Sequence, residues 1–220
     1  LGLIFGANIG TTATAWLVAG FGLKIKISAL AMPMLVFGII FSFQKKVSLK
    51  GVGHVIAGLG FFFLGIHYMK EGFDVFKGYI DLSEYAVSGF LGVIIYTGLG
   101  IIITTILQSS SATLALILTA LAAGQIEYEN ALALAIGANV GTTITAILGA
   151  LSSNSAGKRL AVAHFIFNII TGLVAIAFIF PLARLVNNLS EVLHIAPTNY
   201  TLKLALFHTI FNVIGVLLMI

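Results

Sequence analysis

QSSSAT at residues 108–113 and GANVGTT at residues 137–143 decide how this sequence folds. Both polar clusters lie within the largely apolar stretch 107–151, and the segments that carry them are long enough to lie within a bilayer. Hydroxyl, amide and backbone groups are costly to bury in hydrocarbon unless they find a hydrogen-bonding partner or a ligand. The two clusters therefore predict a polar site inside a membrane.

The composition of the 220-residue chain is that of an integral membrane protein. Hydrophobic residues make up 60% of it, charged residues 8%, and mean hydropathy is +1.13, whereas soluble domains carry about 25% charged residues. The apolar segments, of roughly 17–20 residues, suit membrane helices, because barrel strands would be about 10 residues long and alternating. We predict an all-α polytopic membrane protein with roughly eight apolar segments, of which 109–123 is the weakest as a full crossing.

The net charge of +4 arises from eleven Lys and Arg against seven Asp and Glu. In a membrane protein, an excess of basic residues is typical of the loops, where it sets the orientation of the chain. We therefore expect the lipid bilayer as a partner and no nucleic acid. Lys24 and Lys26 follow the first GAN motif, and Lys158 and Arg159 follow the second, so the orientation stays open.

The absence of cysteine excludes disulfides, and no His or carboxylate cluster is typical of a metal site; we expect no cofactor. The sequence leaves the oligomeric state undecided, and a homo-oligomer is one of the options.

An internal repeat relates the two parts of the sequence. GANIGTTATAWL at 6–17 matches GANVGTTITAIL at 137–148 at nine of twelve positions, with an offset of 131 residues. Polar interruptions repeated in two halves are typical of inverted-repeat transporters with re-entrant or broken helices. We expect residues 1–85 to hold the C-terminal part of a first repeat with connecting spans, and residues 86–220 to hold the second. The apolar runs at both ends predict a chain cut from a longer protein.

The cluster at 108–113 supplies five hydrogen-bonding side chains within six residues. A continuous helix would turn some of them to lipid, whereas a broken helix can aim them, with freed backbone N–H groups, at one ligand. N–H groups and hydroxyls suit an oxyanion, while carbonyls, hydroxyls and the amide oxygen of Gln108 suit a small hard cation such as Na⁺. The alternative is a set of hydroxyls bonded to their own helix carbonyls.

In the second motif, Gly137 and Gly141 bracket Asn139. Glycine lets a helix unwind or permits close approach, and Asn carries both a donor and an acceptor. The motif therefore predicts either a ligand site or a glycine-based packing surface. Asn168 and Asn212, each four residues after a His in an apolar span, are predicted to be interhelical hydrogen-bond partners.

With QSSSAT followed by GANVGTT, this sequence resembles the type II sodium–phosphate cotransporter family, including its bacterial members, over nearly the whole chain. The resemblance implies sodium-coupled transport of inorganic phosphate by alternating access, with Na⁺ as coupling ion, in a multi-pass protein of the cell membrane, such as the bacterial inner membrane. Family members carry two re-entrant Gln-Ser-Ser segments. The missing first copy is expected 29 residues before Gly6, the spacing from Gln108 to Gly137.

The same resemblance implies which residues bind substrate and ions. The binding residues that it implies in the second repeat are Gln108, Ser109, Ser110, Ser111 and Thr113. The residues that it implies around them are Asn139, Thr142 and Thr143 in the second repeat, and Asn8, Thr11 and Thr12 in the first. Three of them, Gln108, Ser110 and Ser111, are the candidate sodium ligands.

Three other functions stay open at this point. A related carrier would move another small anion, such as sulfate or a carboxylate. A membrane-embedded hydrolase would use one of the serines 109–111 with His164, although no intramembrane Asp or Glu is present to orient the base. A sensor would bind phosphate without moving it.

Overall fold

The computed structural model describes residues 2–23 and 28–220, so Lys24 and Lys26 lie outside the described residues. Within them, nine α-helices follow one another: α1 Gly2–Leu17, α2 Ser28–Ser42, α3 Val47–Lys77, α4 Gly89–Leu107, α5 Ser110–Ala122, α6 Tyr128–Ala150, α7 Ser155–Ala177, α8 Ile179–Val192 and α9 Tyr200–Met219. A π-helical turn, Val18–Gly22, extends α1, and a 3₁₀ helix, Leu82–Tyr85, precedes α4.

The prediction of an all-α polytopic membrane protein is confirmed. Six helices in the described part are long and apolar enough to cross a membrane: α1 with its π-helical turn, α3, α4, α6, α7 and α9. Helix α5 has only 13 residues, fewer than the roughly 20 that a crossing needs. This agrees with the expectation that 109–123 is the weakest crossing.

The predicted break in the helix at the QSSS cluster is also confirmed. Helix α4 ends at Leu107 and α5 begins at Ser110, so only Gln108 and Ser109 separate two otherwise apolar helices. The break thus lies at the first two residues of the cluster, and the remaining hydroxyls lie in the first turn of α5.

Two segments are more helical than the sequence suggested. Residues 70–84 were expected to form an interfacial helix or loop, but α3 continues to Lys77 and reaches a length of about 46 Å. An i,i+4 contact of 3.3 Å from His67 to Glu71 lies on this extension. Residues 182–201 were expected to be a mixed extramembrane segment, and most of them form the amphipathic helix α8. Pro181 lies in its first turn, where a missing N–H is tolerated.

The glycines of the second motif allow α6 to pack closely against α4. A Cβ atom on Gly137 would overlap the carbonyl oxygen of Thr97, and one on Gly141 would lie 2.8 Å from the carbonyl oxygen of Ile101. Helix α6 is continuous through the motif. Of the two roles considered for these glycines, the structure shows close approach and no unwinding.

The core surrounds the short helix α5. Helix α5 packs against α1, α3, α4, α6 and α9. Leu118 of α5, Ile136 of α6 and Phe207 of α9 are completely buried there. The outer surface of the α2–α3 pair is apolar and exposed, for example at Phe37 and Phe61, as expected of a lipid-facing surface. The fold therefore holds the serine-bearing helix inside protein rather than against lipid.

Candidate functional site

The break between α4 and α5 is set by the backbone of Gln108. This residue has φ 52° and ψ 26°, in the left-handed region that non-glycine residues rarely adopt. Its N–H donates to the carbonyl oxygen of Thr104 at 2.7 Å, which closes the last turn of α4. Its side chain is exposed. The amide of Gln108 is therefore exposed at the break between the two helices.

The start of α5 offers backbone donors next to the serine hydroxyls. Ser109 caps the helix, because its hydroxyl oxygen accepts from the N–H of Ala112 at 3.2 Å. Ser110 and Ser111 are the first two helical residues, whose N–H groups have no acceptor within an α-helix. These donors lie at the positive end of the helix dipole, and such a helix start can bind an oxyanion.

A chain of buried hydroxyl groups ties the two sides of the break together. Thr104 on α4 donates to the hydroxyl oxygen of Thr113 on α5 at 3.0 Å, and Thr113 donates to the carbonyl oxygen of Ser109 at 3.0 Å. Both threonines are completely buried. Thr113, a predicted ligand, thus holds the break in shape here. Thr104 was not predicted, because its only signal in the sequence is a pair of threonines in an apolar helix.

Helix α1, which carries the first motif, reaches the serine cluster through a residue that was not predicted. Thr14 and the hydroxyl of Ser111 are 3.4 Å apart, and Trp16 Nε1 donates to the hydroxyl of Thr209 on α9 at 2.9 Å. Thr14 belongs to the repeated pattern at 6–17, so the repeat itself was a signal that could have pointed to it. The structure therefore brings the first motif and the QSSS cluster into contact.

Other predicted site residues bond to the backbone of their own helices. Their acceptors are three or four residues earlier, at 2.6–2.9 Å, for Asn8, Thr11, Thr12, Thr142 and Thr143. Local bonding was the alternative considered for residues 108–113, and the structure shows it in both GAN motifs as well. A hydroxyl that donates to a carbonyl still has oxygen lone pairs available. The four threonines can therefore accept a cation without losing these bonds.

Asn139 of the second motif bonds across to α9. Its Nδ2 donates to Oδ1 of Asn212 at 3.0 Å, and Asn212 Nδ2 donates to the carbonyl oxygen of His208 at 2.7 Å. The predicted interhelical role of Asn212 is thus confirmed. Asn168 instead donates to the carbonyl oxygen of His164 on its own helix at 3.3 Å. The second motif is therefore fixed to α9 as well as to α4.

We expect the Asn139–Asn212 bond to contribute about 0.5–2 kcal/mol to stability, the range measured for buried bonds between membrane helices. Asn139→Ala and Asn212→Ala should each lower the thermal unfolding temperature, and the double variant should lose less than the sum of both. A double-mutant cycle in detergent measures the coupling. Additive losses would mean that the two amides do not interact in the folded protein.

His164, the base of the alternative hydrolase, lies away from any bonded contact with the serines. It lines a mostly apolar cavity of about 340 Å³ between α1, α6 and α7, with Ala7, Ala146 and Ala161 among its neighbours. In the described part of the chain, no hydrogen bond joins His164 to Ser109, Ser110 or Ser111. The arrangement therefore lacks the serine–base contact that nucleophilic catalysis requires.

Comparison with known families agrees with this polar break and its repeated motif. The family model described as Na+/Pi-cotransporter matches residues 1–71 and 90–204. The chain belongs to the Na+/Pi-cotransporter family. This confirms the resemblance drawn from QSSSAT and GANVGTT, and it makes the chain a multi-pass membrane protein of a phosphate transporter family.

Among relatives of the chain, the uncharacterized protein YqeW of Bacillus subtilis is 28% identical over 98% of the chain and 66% of its own length. YjbB of Salmonella typhimurium, whose name assigns it provisionally to inorganic phosphate export, is 32% identical over 86% of the chain and 34% of its own length. Sodium-dependent phosphate transport protein 2C of Mus musculus is 39% identical over 38% of the chain and 14% of its own length. The chain thus spans from about two thirds to one seventh of these proteins. No solved structure matches it.

Proposed function

We propose that this chain takes part in sodium-coupled secondary transport of inorganic phosphate by alternating access. The observation that carries the proposal is the start of α5, where the N–H groups of Ser110 and Ser111 lie beside the exposed amide of Gln108 at a break between two apolar helices. Free N–H groups and hydroxyls at a helix start suit a phosphate oxygen. Discontinuous helices of this kind form the substrate sites of secondary transporters.

The charge of the candidate site supports sodium coupling. Neither motif contains a Lys or Arg that could neutralise an anion, and phosphate carries at least one negative charge at neutral pH. A co-bound cation would compensate this charge. The oxygen atoms of Gln108, Ser110 and Ser111, with the lone pairs of the motif threonines, are hard ligands that suit Na⁺.

We further propose that residues 1–85 and 86–220 belong to two repeats of one transport domain. The packing of the glycines supports this division. Gly137 and Gly141 pack against α4, whereas nothing lies within 4 Å of a Cβ placed on Gly6 or Gly10, their counterparts on α1. We expect a helix with small residues facing α1, like α4, to pack there in the working transporter.

Transport fits these residues better than hydrolysis, because in the part of the chain that the structure describes no hydrogen bond joins His164 to the serines, and a hydrolase would have no use for a duplicated GAN motif. We place the protein in the cell membrane, as a multi-pass protein of a bacterial inner membrane, with phosphate and Na⁺ as partners. Its oligomeric state, a homo-oligomer included, is left to experiment. The principal rival within the same class is a carrier for sulfate or a carboxylate.

Uptake of labelled phosphate into proteoliposomes tests the proposal. We expect uptake to require an inward Na⁺ gradient, to fail with K⁺ in its place, and to resist excess sulfate and carboxylates. The measurement uses this chain reconstituted alone. Inhibition of uptake by sulfate or a carboxylate would favour the rival carrier, and binding without uptake would favour a sensor.

A further inference from the structure

The far end of α5 is held by the C-terminal extension of α3. The ammonium of Lys77, the last residue of α3, lies 3.4 Å from the carbonyl oxygen of Ala123 and 3.5 Å from that of Gly124. These carbonyls follow directly on the last turn of α5. A cation is stabilising at this position, because the C-terminal end of a helix carries a partial negative charge.

A second contact joins the same two segments. Gln125 is completely buried, and its Oε1 accepts from the N–H of Leu82 at 3.2 Å. Leu82 begins the 3₁₀ helix that connects α3 to α4, and Asp81 caps this helix by accepting from the N–H and the hydroxyl of Ser83. These bonds lower the pKa of Asp81 and keep it charged. The segment that connects α3 to α4 is therefore hydrogen-bonded to the loop after α5, and its own 3₁₀ helix is capped by Asp81.

Movement at this end of α5 is transmitted to the candidate site. Helix α5 is about 20 Å long, and eight of its 13 residues are buried. A short, well-packed helix shifts as a rigid unit. Ser110 and Ser111 lie at its other end, so their position depends on where the carbonyls of residues 123 and 124 are held.

We infer that Lys77 and Gln125 form a clamp that sets the position of the N-terminus of α5, which makes Lys77 a positioning residue for the serine site. The clamp itself is independent of what the serines bind, but its effect on transport rests on the proposed function. Lys77 lies 31 residues before Gln108 in the sequence, and its described hydrogen bonds go to the carbonyl oxygens of Ala123 and Gly124, outside both motifs. Its effect on the site acts through α5 alone.

A cysteine reporter at the start of α5 tests the clamp without reference to phosphate. The chain contains no cysteine, and the side chain of Ala112 is exposed in the first turn of α5. The rate of maleimide labelling is measured in the Ala112→Cys protein alone and after adding Lys77→Met, Lys77→Arg, or Lys70→Met. Lys70 is an exposed lysine of the same helix and serves as the matched control. Sodium-dependent phosphate uptake is measured in parallel for the three lysine variants without the reporter.

We expect Lys77→Met to raise the labelling rate by about two- to fivefold, the effect of losing one cation at a helix C-terminus. Lys77→Arg should restore the original rate, and Lys70→Met should leave it unchanged. The apparent KM for phosphate should rise by a similar factor in Lys77→Met. If Lys77→Met does not yield a monodisperse protein, Gln125→Leu removes the other half of the clamp and should shift labelling in the same direction.

The outcomes separate the clamp from the proposed function. Labelling that is unchanged in Lys77→Met, unrestored by arginine, or equally altered by Lys70→Met would overturn the clamp, whatever the uptake. A shift in labelling together with a lack of uptake in every protein would leave the clamp standing and count against phosphate transport. A shift in labelling with an unchanged apparent KM would limit the clamp to holding the helix and overturn its role in substrate binding.

Discussion

Gln108→Ala is expected to lower sodium-dependent phosphate uptake by about 10- to 100-fold while the protein folds normally. Loss of one hydrogen bond to a charged group is worth about 1.5–3 kcal/mol, which corresponds to this factor. Gln108 is exposed at the break, so its truncation leaves no cavity. Initial rates in proteoliposomes, with Na⁺ and with K⁺, measure the effect.

Two companion variants separate the amide from the backbone. Gln108→Asn keeps an amide and tolerates the left-handed conformation, so it should retain more uptake than Gln108→Gly, which keeps the backbone alone. Gln44→Ala removes an exposed glutamine at the end of α2 and should have no effect. Normal uptake by Gln108→Ala would remove Gln108 from the site.

Gly137→Leu is expected to destabilise the protein by about 3 kcal/mol or more, at the upper end of the cost of overpacking. The new side chain would have to fit where Gly137 meets the carbonyl oxygen of Thr97 and the Cα atom of Gly100. These are backbone atoms and cannot rotate away. We expect little monodisperse protein after solubilisation, or a markedly lower unfolding temperature, measured by size-exclusion chromatography and thermal denaturation in detergent.

The internal repeat supplies the matched control for this variant. Gly6→Leu changes the equivalent glycine of the first motif, where a Cβ meets nothing within 4 Å. In this chain it should be tolerated, at a stability within about 0.5 kcal/mol of the parent. Similar losses in the two variants would contradict the idea that only the second motif places its glycines in close contact with a neighbouring helix.

Much of the fold could be predicted because its cause is local. Five polar side chains in six residues cannot all avoid lipid on one continuous helix, and this fixed the expectation of a break at 108–113. The apolar runs predicted roughly eight segments. In the described residues six of them form helices long enough to cross a membrane, whereas α2 and α5 are shorter. The end of α3 could not be predicted in this way, because alternating charges such as those at 70–77 suit an extended helix and a solvated loop equally well.

The contacts of the candidate site were less predictable than its residues. Thr104 and Thr14 bond to the cluster because α4 and α1 pass beside α5, and sequence spacing alone carries no such neighbour relation. Local bonding was foreseen as the alternative for residues 108–113 but not for threonines of the GAN motifs such as Thr142, although a helix always offers a carbonyl four residues earlier. Which of them also bind an ion remains a prediction.

The glycine-lined contact between α4 and α6 has a mechanical consequence. Helices whose backbones touch cannot slide past each other without a steric clash. QSSSAT directly follows α4 and GANVGTT lies on α6. We therefore expect the two motifs of this half to move together as one rigid body. Any rearrangement that exposes the serines first to one aqueous side and then to the other must therefore occur at a different helix boundary. The boundary between α1 and α5 differs in this respect: among the described residues one side-chain hydrogen bond crosses it, the 3.4 Å contact of Thr14 with Ser111, and the glycines Gly6 and Gly10 of α1 make no close backbone contact.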